Sequence, residues 1–204
     1  MKKVNIILIV LACLVSSCNG QNLEQCKLHL KKSKEAFNSF YKVQNQKLLA
    51  EALSEVELSQ DCPETRLTSV ELKISILSLK KDYQTAYKYV ESLDKNDFVK
   101  SYRKSMQVNF FKALTYELQS DLKNRNLYLK KAISDVEKFI NEQKKTDQDA
   151  YYDLFLIKSK MLNKEEFNSY INEIIIKNPS EKQFFEILKE SFDEQSKKIN
   201  ATSR

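Results

Sequence analysis

Cysteine, histidine and serine–lysine pairs are the residues of this chain with the most scope for chemistry, and they are few. There are four cysteines and one histidine among 204 residues. Cys26 and Cys62 are too far apart in sequence for a CxxC-type redox site, so their expected chemistry is a structural disulfide, the alternative being two buried free thiols. His29 lies in a lysine-rich stretch with Lys27, Lys31 and Lys32. A Ser–His–Asp triad, a zinc site or a Glu-x-x-His di-iron pair would need it or a second histidine. The residue three before it is Cys26 rather than Glu, so it reads as a bystander. Ser-x-x-Lys, the spacing of serine–lysine acylases, occurs from Ser39, Ser78, Ser92, Ser101 and Ser120 without an accompanying Ser-Asp-Asn or Lys-Thr-Gly. In a lysine-rich helical chain such matches arise by chance. Glu165 and Glu166 fit the first turn of a helix, where acids complement the dipole. The expectation is a protein without catalytic residues, metal ligands or cofactor.

Cys18 belongs to a different pattern. Met1-Lys2-Lys3 is a short basic start, Ile6 to Val15 is apolar apart from Cys13, and Ser16-Ser17-Cys18 follows. A basic start, an apolar run and small residues before a cut site describe a secretory signal. Ten helical residues rise about 15 Å, roughly half a bilayer core, too short to span it. The block Val15-Ser16-Ser17-Cys18 resembles the bacterial lipobox. That resemblance implies removal of residues 1–17 and acylation of Cys18 as the new N-terminus, with residues 18–22 as a tether. In that family Asp after the Cys favours inner-membrane retention. Asn19 stands there instead, which implies an outer-membrane lipoprotein facing the periplasm. Several acyl chains make a stable anchor. The same oxidising compartment favours the Cys26–Cys62 bridge.

The elements that must position these residues are helical. Gly20 is the only glycine, and a chain without glycine is expected to avoid primed turns, strand bulges and positive φ. Gly-rich phosphate cradles and dinucleotide fingerprints are thereby excluded. With two prolines and helical apolar spacing, as in Val70, Ile74 and Leu77 beside Leu67, or Leu129, Ala132, Val136 and Phe139, or Phe184, Leu188 and Phe192, the chain reads as all-α. Nine helices are expected, near 23–43, 45–60, 64–80, 83–94, 97–120, 125–144, 148–161, 164–177 and 181–198, forming one helical domain over 23–198 with a flexible tail at 199–204. Asn22, Asn163 and Ser180 each precede Glu or Gln in capping-box spacing. Asp82, Asn124 and Asp147 are further caps, and Pro63 suits a first helical position. The short connections make successive helices antiparallel neighbours. The midpoint between Cys26 and Cys62 is residue 44, inside a turn expected at Val43-Gln44-Asn45. Their bridge would staple the first hairpin and stabilise it by roughly 4 kcal/mol at most.

A repeat runs through these helices. Leu49-x-x-Ala52-x-x-x-Val56 returns as Tyr83-x-x-Ala86-x-x-x-Val90 after 34 residues, then less regularly from Leu129 and from Phe167 with Tyr170 and Ile174. This resembles the second helix of the tetratricopeptide (TPR) repeat, whose small residue allows close approach and whose period is 34. The family's helix-A glycine is replaced by Ile74 and its turn glycine by Lys81. The resemblance implies stacked antiparallel hairpins, either a TPR-like solenoid or an irregular α-bundle, with the last helix closing the array. It also implies that helix-A faces line a binding surface, here Lys34, Phe37, Tyr41 and Asn45, then Glu71 and Ser75. Tyr87, Tyr89, Tyr151 and Tyr152 are further candidates for a groove, whereas Phe40, Phe110 and Phe184, with Phe37 and Phe139, read as core.

The net charge of +6 falls to +4 without Lys2 and Lys3, and the charges are interspersed along helices. Nucleic acid is a poor partner for such a chain outside the cytoplasm. The expected function is that of a non-enzymatic, membrane-anchored adaptor that holds a protein partner of the envelope. The alternative is an immunity protein that neutralises a periplasm-acting toxin such as a peptidoglycan hydrolase.

Overall fold

Apolar residues at helical spacing build the helices, with side-chain caps at Asn45, Asp82, Asp121, Asp147 and Asn163. The computed structural model describes residues 2–202, with side chains described over 22–192 and at 194. Among the described residues there are nine α-helices and no strand. They are α1 (Lys2–Val43), α2 (Gln46–Leu58), α3 (Pro63–Leu79), α4 (Tyr83–Ser92), α5 (Arg103–Leu118), α6 (Leu122–Glu142), α7 (Gln148–Met161), α8 (Lys164–Lys177) and α9 (Lys182–Thr202). The all-α expectation is met. The side chains of the leader and of Cys18, and the last residues of the tail, lie outside those described.

The chain divides at Ser101/Tyr102 into two compact units. In the first, α1 packs along α2, and both pack on α3, which carries α4. Its core joins Ala36, Phe40, Leu49, Ala52, Val56 and Ile76. Ala52 and Ala86 are fully buried, as is Ala132 in the second unit. In the second unit α5 packs on α6, α6 on α7, and α9 on both α7 and α8. Its interior is aromatic: the ring of Phe185 lies 4.9 Å from that of Tyr151 and 6.0 Å from that of Phe155.

Several boundaries differ from expectation. Asn22 lies inside α1 rather than capping it. The cap of α6 is Asp121, whose carboxylate accepts from the amide of Asn124, so Asn124 is the third helical residue and not the cap. The helix expected from 97 starts at Arg103, because Lys95–Asp97 form a 3₁₀ turn locked by reciprocal Asp94–Asp97 capping. Pro179–Glu181 is likewise a 3₁₀ turn before α9, so Ser180 is not a cap. Asp82, Asp147 and Asn163 do cap their helices, and Pro63 opens α3. Phe185 rather than Phe184 is fully buried, Leu67 is 40% exposed, and Ile171 takes the buried seat expected of Tyr170. Positive φ is not avoided either: Gln44, Lys81 and Ser120 sit at φ 53°, 57° and 59°. Each follows the first helix of a hairpin, where a left-handed residue closes the helix end.

Candidate functional site

The six surface positions expected to meet a partner all fall in the first unit, and local jobs divide them. Asn45 is the N-cap of α2, its side chain accepting from the Lys47 amide at 3.0 Å. The Ser75 hydroxyl donates to the Glu71 carbonyl at 3.0 Å, a bond within α3. Phe37 is half-buried and packs against the α1–α2–α3 core, as does Leu72 next to Glu71. Lys34, Tyr41 and Glu71 remain exposed to solvent. Tyr41 is 57% exposed, with its ring edge-on to Phe37 at 5.2 Å and to Phe40 at 5.9 Å. Neighbouring rings thus hold an exposed phenol in a defined pose at the hairpin tip.

The frame behind that face is cross-linked. Cys26 and Cys62 form a disulfide with Cα atoms 6.2 Å apart. Cys62 is the N-cap residue of α3 rather than part of α2, so the staple ties α1 to the start of the third helix, at the open end of the first hairpin. His29 has a structural contact. Its Nδ1 lies 2.6 Å from the Glu55 carboxylate on α2. One turn further along α1, the buried Ser33 hydroxyl donates to the Ala52 carbonyl at 2.7 Å. The α2–α3 connection is closed by buried hydroxyls: Ser59 and Ser69 lie 2.7 Å apart, and Thr65 donates to the Ser59 carbonyl. Arg66 grips the buried carboxylate of Asp97 with two hydrogen bonds of 2.6 and 3.0 Å. Burial pushes the Tyr89 phenol up to about 12, and its hydroxyl donates to Gln60. Tyr89 is therefore a packed strut under Lys73, which lies 4.4 Å above its ring. The His29–Glu55, Ser33–Ala52, Tyr89–Gln60 and Arg66–Asp97 partners were not legible as motifs, because each pair joins positions 19 to 31 residues apart.

The second unit has its own buried polar centre. The Tyr102 hydroxyl donates to Asp153 at 2.7 Å and Arg103 Nε donates to the same oxygen at 3.2 Å. Burial outweighs both partners and pushes the Asp153 carboxyl above its ordinary range. Of the Ser-x-x-Lys matches, Lys81 and Ser120 are left-handed turn residues. Of the four other tyrosines considered for a groove, Tyr89 is a strut, Tyr152 is 44% exposed with its ring 5.9 Å from Phe192, Tyr87 is half-buried, and Tyr151 lines the wall of a cleft. Among the described residues no group of three or more His, Cys, Asp or Glu is placed to hold a metal ion. Among them, too, no helix is long and apolar enough to cross a membrane. Compared with protein-family models, curated proteins and solved structures, the chain matches none.

Proposed function

We propose that this chain is a lipid-anchored, non-enzymatic adaptor of a bacterial envelope, acylated at Cys18, held at the outer membrane facing the periplasm, and binding a protein partner through its TPR-like helical array. The observation that supports the binding reading most directly is the exposed Tyr41, braced on Phe37 and Phe40 on the same helix as exposed Lys34. Tyr on a rigid helix face is among the side chains that dominate protein interfaces, and an exposed charge such as Lys34 adds specificity and steering at the rim. The disulfide and the His29–Glu55 and Ser33–Ala52 bonds hold α1 on its neighbours, so little ordering cost is left for the binding step. The anchor rests on the order of basic start, apolar run, small residues and Cys18 in the sequence.

The test is affinity capture of the acylated protein from detergent-solubilised membranes, comparing the wild type with a Lys34→Glu/Tyr41→Ala variant. Recovery of a defined protein partner that falls about tenfold or more in the variant is the expected result. Equal recovery by both proteins overturns the assigned face, and co-purification of a small ligand alone overturns the adaptor reading. A partner that is a secreted hydrolase, inhibited on binding, would replace the adaptor role with immunity.

A further inference from the structure

Charge in the first unit is divided between the two ends of its helices. At one pole α1 and α3 end while α2 and α4 begin, and there Phe40, Leu49 and Ile76 pack together with Leu48 and Leu79 against them. Lys42, Lys47, Lys80 and Lys81 are exposed at this pole, with Lys34 two turns back along α1. Among the described residues none of these lysines takes part in an ion pair. The acids nearby are otherwise engaged or set back: Glu35 lies 3.9 Å from Lys31, Asp82 caps α4 by accepting from the Thr85 amide, and Glu51 stands in the second turn of α2. Helix dipoles account for Lys42 in the last turn of α1 and for Lys80 just past α3, where cations are favoured. They do not account for Lys47, which sits in the first turn of α2 at the positive end. Tyr41 and Val43 stand among these charges, 57% and 65% exposed. At the opposite pole the balance reverses. Glu24, Asp61, Glu64, Glu91 and Asp94 are exposed there against Lys27 and Lys95, and Asp97 is tied to Arg66. The Cys26–Cys62 disulfide fixes the start of α1 at this acidic pole, and Asn22 follows Cys18 by only four residues.

We propose that the lysine pole is the docking end of this unit, turned away from the bilayer and fitted to an acidic surface of a periplasmic protein. This inference rests on the reading of the chain as an adaptor acylated at Cys18, and it adds the chemistry of the partner. Tyr41 lies nineteen residues beyond Asn22 on α1, a rise of about 28 Å. That is about three Debye lengths at physiological salt, so the field of anionic headgroups at the anchored end does not reach the lysines. The same headgroups repel the acidic pole beside them, which favours a unit that stands up from the surface over one that lies along it. A protein surface bearing Asp or Glu around an apolar residue answers the lysines and the exposed Tyr41 and Val43 together. A bilayer lies at the other end, and a neutral glycan would leave the lysines unanswered.

The experiment is photo-cross-linking of the acylated full chain in intact cells, with benzoylphenylalanine placed at Val43 and, for comparison, at Ser75 and at Asp61. Each adduct is mapped by mass spectrometry. Val43 should yield a defined protein adduct whose cross-linked segment is net acidic. Lys42→Gln/Lys47→Gln/Lys80→Gln/Lys81→Gln should cut that yield by about tenfold, as loss of complementary charge does, whereas Arg at the same four positions should preserve it. Circular dichroism shows whether the variants are folded. Independently of any lysine variant, the adduct formed in solubilised membranes should fall by a similar factor when salt is raised from about 0.1 to 0.5 M. A neutral or basic cross-linked segment, a phospholipid adduct at Val43, or an adduct that neither Gln nor salt diminishes overturns the proposal. A protein adduct at Ser75 with none at Val43 leaves the adaptor reading standing and removes the pole from it. No protein adduct at any of the three positions removes both.

Discussion

At single positions, the chain does without glycine where helical proteins commonly use it. Lys81 and Ser120 hold left-handed conformations at φ 57° and 59°, and both are exposed. A residue with a Cβ is strained there by about 1–2 kcal/mol relative to glycine. Glycine loses more entropy on folding, so the net gain from Lys81→Gly or Ser120→Gly is expected to be about 0.5–1 kcal/mol of added stability in urea unfolding. A loss of stability in both variants would show that their side chains make contacts that outweigh the backbone strain. Asp153 carries a different signature. Its folded-state pKa lies above the ordinary 3.8, chiefly through burial. The native state therefore keeps that proton to higher pH than the unfolded state does. By linkage, stability from this group is fully present below the unfolded value and is lost as pH rises through the folded one. Asp153→Asn cannot lose a proton, so the advantage of the wild type over it should shrink as pH rises from below 3.8 through the folded pKa, read by denaturation at a series of pH values. A difference that grows with pH would mean that Arg103 and Tyr102, rather than burial, dominate the site.

The helices are governed by their ends. α3 and α5 close identically: the Asp82 amide donates to the Leu77 carbonyl and Lys81 to Ser78, and the Asp121 amide donates to Tyr116 and Ser120 to Glu117. In both, the residue after the left-handed one is an aspartate that immediately caps the next helix. Two helices are thus joined in three residues, and the joint fixes them as antiparallel neighbours. The disulfide acts at the same scale. It closes a loop between positions 36 apart, and joins α1 to the start of α3 across the α2 hairpin. Cys26→Ser/Cys62→Ser should destabilise the protein by about 3–4 kcal/mol in the chain-entropy account, measured as a fall in urea midpoint that dithiothreitol reproduces in the wild type. No shift under either condition would mean that the His29–Glu55 and Ser33–Ala52 bonds suffice to hold α1.

For the molecule as a whole, the proposed anchor and the proposed binding surfaces make separable demands. Cys18→Ser should move the protein from the membrane fraction to the aqueous fraction. Mass spectrometry of the wild type should find the mature chain beginning at an acylated Cys18, since multiple chains are needed for stable attachment. A wild-type mature start at any other residue would remove the anchor and with it the periplasmic setting, but would leave the helical cores as they are. Those cores lie separately within the two units, around Ala52 in the first and around Phe155 and Phe185 in the second. Partner binding through α1 is consequently testable by exposed substitutions that leave both cores intact.

Helical class, half of the expected caps and the first turn were legible along the chain because each depends on local spacing, and the Cys26–Cys62 pairing because the two cysteines lie equidistant from that turn. Scarce glycine, 3.6-residue apolar periodicity, and Asp or Asn before a helix act within a few residues. Which neighbour faces inward was less legible. One position along a helix is a rotation of about 100°, so Phe184 for Phe185 and Tyr170 for Ile171 are errors that periodicity alone does not correct. The division at Ser101/Tyr102, the pairing of Asp97 with Arg66 and of Asp153 with Tyr102, and the cleft between the ends of α6 and α8 came from the packed structure. Their reason is common: each needs groups tens of residues apart brought within contact, and such distances are set by how helices pack rather than by what any one segment prefers.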